Sequence, residues 1–99
     1  MKIKFAFGCE YDIYYAHWLL DEGGTPIDII LYGKEDTLLE IAEYFCLGGF
    51  NCQEVDPIDA YQKELDTTID GEPLFEGLYG RLELFEIIEF SGGCVTYVD

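Results

Sequence analysis

The apolar positions of this chain fall into blocks whose spacing changes from one block to the next. Leu38, Leu39, Ile41, Ala42 and Phe45 recur at the interval of a helix face, and Thr37 with Glu40 three residues later has the form of a capping box. The spacing predicts a helix over 38–47. Asp56-Pro57 is a second start signal, an N-cap acid followed by proline at the first helical position, with Ile58, Tyr61 and Leu65 on one face and an end near Asp66. Tyr11, Tyr14, Tyr15, Trp18 and Leu19 also follow helical spacing, after the strand-like "KIKFAF", and predict a first helix.

The block "LELFEIIEF" at 82–90 is read against both periods. In a strand, Glu86 would face the opposite side from Glu83 and Glu89, which sends a carboxylate toward the core. In a helix the three acids share an arc, with Leu84, Phe85, Ile87 and Ile88 opposite. The helix avoids burying a charge and is the expected form; a hairpin with "CVTYVD" is the competing structure.

Gly-Gly occurs at 23–24, 48–49 and 92–93, each time between an apolar, acid-containing segment and a stretch of strand character. These pairs read as helix stops, because glycine enters the left-handed conformation without a side-chain clash. Residues 67–80, with Asp70-Gly71 and Pro73, are expected to be irregular or a short hairpin. Strands near 2–7, 26–32, 50–55 and 95–98 complete the picture. The expected fold is a two-layer α+β single domain over residues 1–99, about four strands in one mixed sheet covered mainly on one face by three to four helices.

Charge changes what this domain can bind. The 99 residues carry 21 Asp plus Glu against 5 Lys plus Arg, a net of -16. Lys2 and Lys4 precede every acid, so the rest of the chain sets all 21 carboxylates against Lys34, Lys63 and Arg81. Such a chain repels nucleic acid and anionic membranes and attracts basic surfaces. Disorder does not follow from the acidity, since 49% of residues are hydrophobic and 16% aromatic. Adaptation to high salt also acidifies surfaces, without choosing a function. The start of the chain has no secretory core, and no run approaches the ~20 apolar residues that span a bilayer. A cytoplasmic protein with reduced cysteines is expected.

Candidate chemistry is sparse. Four cysteines and His17 have the donor types for zinc, but the closest pair, Cys46 and Cys52, lacks the tight spacing of a structural site, and buried free cysteine is the expected state. Neither "DTTIDGE" nor "QEVDPID" has the alternating ligands of an EF-hand loop, and the glycine pairs lack the Lys-Ser/Thr of a phosphate loop. No metal, no cofactor and no enzyme activity are expected. Cys9 with His17 is the pair on which a small enzyme would have to be built, and paired carboxylates are too common here to inform.

The dispersed acids are the strongest signal: Glu40 and Glu43; Asp56, Asp59, Glu64, Asp66 and Asp70; Glu76, Glu83, Glu86 and Glu89. A domain of this length is about 33 Å across, and duplex DNA of that length carries roughly 20 charges. In this composition, without a shared motif, the chain resembles the small acidic inhibitors of phages and mobile elements, of the anti-CRISPR and anti-restriction type, that imitate DNA. The resemblance implies an inhibitor that occupies the basic nucleic-acid-binding surface of a nuclease or surveillance complex in the host cytosol, with no direct contact to nucleic acid or membrane. An immunity or antitoxin protein capping a basic toxin is the alternative binding role, with Tyr11, Tyr14, Tyr15 and Trp18 as anchors.

Overall fold

The computed structural model describes residues 2–5, 8–48, 51–67, 76–91 and 95–98; the side chains of Pro26, Thr67, Glu76, 88–91 and 95–98 are not described. The elements in chain order are β1 (Lys2–Phe5), β2 (Glu10–Asp12), β3 (Tyr15–Leu20), β4 (Pro26–Gly33), α1 (Glu35–Tyr44), β5 (Cys52–Glu54), α2 (Pro57–Thr67), a 3-10 turn (Glu76–Leu78), β6 (Phe85–Ser91) and β7 (Val95–Val98). They form an α+β fold with two sheets, ordered β2-β1-β7 and β3-β4-β6-β5. Every recorded pairing is antiparallel, so the expected single mixed sheet is replaced by two antiparallel ones, and two α-helices stand among the described residues where three to four were expected.

The four-stranded sheet is covered on both faces rather than one. Successive residues of β4 point to opposite sides. Ile29 and Leu31 join Leu38, Ile41 and Ala42 of α1 and Ile3 and Phe5 of β1 in one core, while Ile30 and Tyr32 join Ala60 of α2, Leu78 and Leu84 in another. The three-stranded sheet therefore shares the α1 side, where the Phe5 and Phe45 rings meet edge to face at 4.7 Å. On its outer side Lys2 and Lys4 stand exposed, in register with Asp12 and Glu10.

Two predicted helices are strands, and the double cover explains both. The aromatics of 11–19 are distributed over β2 (Tyr11), β3 (Tyr15, Trp18) and the connection between them (Tyr14): His17 sits in register with Ile30 and Trp18 with Ile29, one on each face of the sheet. With both faces buried, the strand loses the apolar-polar alternation that would have marked it. The block at 82–90 contains β6, which pairs with β4 and β5, whereas β7 pairs with β1, so the competing hairpin with "CVTYVD" does not form either. Glu86 is 6% exposed, so the strand buries the carboxylate that a helix would leave outside.

The helix boundaries also carry corrections. α1 begins three residues before the expected start at 38: Lys34 holds the N-cap position without a side-chain bond, and Glu35 and Asp36 occupy the first turn, where the helix dipole favours negative charge. Thr37 lies within the helix and caps nothing. At the other end the left-handed position belongs to Cys46 (φ 58) and not to Gly48, while Gly49 lies outside the described residues. Gly23-Gly24 closes the hairpin between β3 and β4, where the Asp21 carboxylate accepts the N–H of Gly23 and of Thr25, each at 2.9 Å, and Gly24 turns at φ 82. Gly92-Gly93 lies outside the described residues.

α2 starts where the sequence placed it. Asp56 Oδ1 accepts the Ile58 N–H at 2.8 Å, satisfying one of the donors that a helix start leaves free. Asp56→Ala should cost about 1 kcal/mol, read as a lowered urea midpoint with an unchanged slope. The face α2 buries is rotated from the expected one. Ala60 and Glu64 point inward with Tyr61 half-buried, while Ile58 and Leu65 are exposed.

Candidate functional site

The candidate site is an acidic surface, and the structure divides the eleven nominated carboxylates into three groups. Glu40 and Glu43 of α1, Asp56 at the start of α2, Asp59 and Asp66 of α2, and Glu83 are exposed. Glu64 and Glu86 are buried and cannot meet a partner. Asp70 lies outside the described residues, as do the side chains of Glu76 and Glu89. With 82–84 in a loop, 85–90 in β6 and Glu86 buried, Glu83 and Glu86 do not share an exposed face.

α1 does present such a stripe. Asp36, Glu40 and Glu43 are exposed and recur at helical spacing, about one 5.4 Å turn apart, and Glu35 adds a fourth carboxylate beside them. No cation lies within α1; Lys34 precedes it. A helix starting at 38 leaves out Glu35 and Asp36, although two acids directly before Thr37 are the composition of a first helical turn. The field reaches neighbouring groups. Burial, then the charge of Glu40, raises the Tyr11 hydroxyl pKa, and burial, then Glu35, raises that of the Cys52 thiol.

Because α1 and α2 lie on opposite faces of the sheet, their acids point away from one another. The second carboxylate set, Asp56, Asp59 and Asp66, is also less pure, since Lys63 is exposed on the same helix and Asp66 accepts a hydrogen bond from Gln62 at 3.1 Å.

The two buried acids are each held by polar side chains. Glu64 Oε1 accepts the Tyr32 hydroxyl at 2.7 Å, and Oε2 meets Nδ1 of His17. Glu86 Oε1 accepts from Gln53 Nε2 at 3.0 Å across β5 and β6. Burial, the hydrogen bond to Glu64 and the nearby carboxylates all push the Tyr32 pKa well above its usual value. Glu64 is 2% exposed and meets side chains of β3 and β4, so the contact ties α2 to the sheet.

His17 and Cys9 do not come together. His17 faces α2, whereas Cys9 lies beside Tyr44 of α1, whose hydroxyl pKa is raised first by a hydrogen bond with that cysteine. Among the described residues no group of three or more His, Cys, Asp or Glu is placed to hold a metal ion. No described helix is long and apolar enough to cross a membrane. The Arg81 guanidinium carbon lies 3.9 Å from the centroid of the Tyr14 ring, in a shallow cleft that Leu82 and Glu83 also line.

No family model matches the chain, and no curated protein or solved structure matches it. The functional reading therefore rests on the geometry and charge of this molecule.

Proposed function

We propose that the protein is an acidic inhibitor that binds a Lys/Arg-lined surface of a larger complex and blocks its access to DNA or RNA, as in the DNA-imitating inhibitors of the anti-CRISPR type. The observation that carries the reading is a net charge of -16 on a molecule of 35 × 33 × 22 Å. Duplex DNA 35 Å long carries roughly 20 phosphate charges, so the excess charge is of the density a nucleic-acid channel is built to receive. The exposed stripe of α1 is the contact face in this reading, since among the described residues it combines one-turn spacing with the absence of an intervening cation.

The test is a nuclease-treated pull-down from host lysate at low and high salt, followed by competition with DNA or RNA. Capture of a nucleic-acid-binding complex, released by salt and by the competitor, supports the proposal. Neutralising the stripe with Asp36→Asn, Glu40→Gln and Glu43→Gln should then weaken binding about tenfold or more and flatten its salt dependence, because desolvated charge pairs at the contact are lost while the fold is untouched. Capture of a small basic toxin that DNA does not displace would replace inhibition of a nuclease with immunity. Absence of any salt-sensitive partner would reduce the acids to a solubility role.

A further inference from the structure

We infer that β3 is a docking edge on which a basic partner lays an extended segment as a fifth strand of the four-stranded sheet. The inference rests on the proposed basic partner and names how part of it is held. β3 is an edge strand of that sheet. An edge strand presents main-chain N–H and C=O groups that a further strand can pair, and natural proteins blunt such edges with short strands, charges, proline or bulges. The opposite edge is blunted in this way: β5 has three residues, and Gln53 and Glu54 are exposed on it. β3 has six residues, Tyr-Ala-His-Trp-Leu-Leu, with no acid, lysine, arginine or proline, and its register shift falls only at its last step, between Leu19 and Leu20. Among the described residues nothing pairs with the outer edge of Ala16 to Leu20.

Charge decides what the occupant is. A second copy would bring another net charge of -16 alongside the first, and like charge of that size keeps proteins apart. A cationic segment is drawn in. The edge is bracketed by exposed acids, Asp12 before it and Asp21 and Glu22 after it. Six strand residues span about 20 Å, so the fitting segment is extended, about six residues long, with Lys or Arg near both ends and small or β-branched residues between. Its alternate side chains would lie beside His17 and Leu19 on the α2 face and beside Trp18 and Leu20 on the α1 face.

The probe is a pair of nine-residue peptides, each with lysines at both ends around alternating valine and threonine, one carrying N-methyl groups on alternate central residues. The two have equal charge, but N-methylation removes the main-chain donors from one side of the strand. Binding is read from amide shifts of the isotope-labelled protein and from hydrogen exchange. The expected result is shifts and exchange protection at residues 16–20, with the unmodified peptide about tenfold or more tighter than its N-methylated twin.

Equal affinities, or no binding of either peptide at millimolar concentration, would overturn the docking edge. Shifts confined to the α1 stripe would overturn it while leaving the acidic-inhibitor reading intact, which the lysate pull-down tests separately. Protection of 16–20 that grows with protein concentration without peptide would also overturn it, assigning the edge to a second copy.

Discussion

Replacing Glu64 with alanine should destabilise the protein by about 3–5 kcal/mol, more than any surface carboxylate on the chain. The side chain is 2% exposed and serves two partners on two strands, the Tyr32 hydroxyl and His17 Nδ1. Truncation leaves the fully buried Tyr32 hydroxyl without its acceptor and takes the carboxylate from a partly exposed His17, and the orphaned hydroxyl adds its own desolvation cost. Glu64→Gln should cost less, because an amide oxygen still accepts from Tyr32. Urea unfolding of both variants gives the ordering. A cycle with His17→Ala should return a coupling energy of about 0.5–3 kcal/mol. An alanine variant within about 1 kcal/mol of the parent would show that the α2 face is wet and that Glu64 does not hold the helix.

The second large effect is alkaline instability. Tyr32 is fully buried, and burial followed by its bond to Glu64 raises its pKa in the folded protein. The folded state therefore keeps a proton that the unfolded chain releases from about pH 10 upward. Stability is complete below that pH and declines above it, by up to about 1.4 kcal/mol per pH unit from this one group. Tyr11 and Tyr44, whose pKa values are also raised, act in the same direction. Unfolding free energies measured from about pH 9 to about pH 11.5 should fall, with tyrosinate absorbance from Tyr32 appearing only as the protein unfolds. Tyr32→Phe should lower stability at neutral pH, since Glu64 loses a donor, yet give a shallower decline above pH 10. Parallel slopes would mean that Tyr32 ionises while folded.

What could be read from the sequence followed from how many sides of each element are buried. α2 carries its own start signal in Asp56-Pro57, and the strands at 2–5, 26–33, 52–54 and 95–98 lie where β-rich runs between turn residues placed them. β3 and β6 were not legible as strands, because covering both faces of the sheet removes the period of two, leaving aromatics at 14, 15 and 18 and acids at 83, 86 and 89 that mimic helical spacing. The site shows the same limit. Exposed acids such as Glu40, Glu43 and Asp59 need only a helix to be placed correctly. Glu64 could not be separated from them, since it meets a tyrosine of β4 and an imidazole of β3 only once the chain has folded, and Glu86 is set apart only if 82–90 is a strand.

The opposed directions of the α1 and α2 acids bear on how a partner finds this protein. A molecule with its charge gathered on one side turns that side toward an oncoming cation before contact. Here carboxylates leave both faces of the sheet, so attraction is strong from every approach and selects little between orientations. Encounter should be frequent and mostly misaligned, with the productive pose chosen afterwards by short-range contacts. Neutralising one face removes a small part of the total field, and its effect falls on how long the complex lasts rather than on how often it begins.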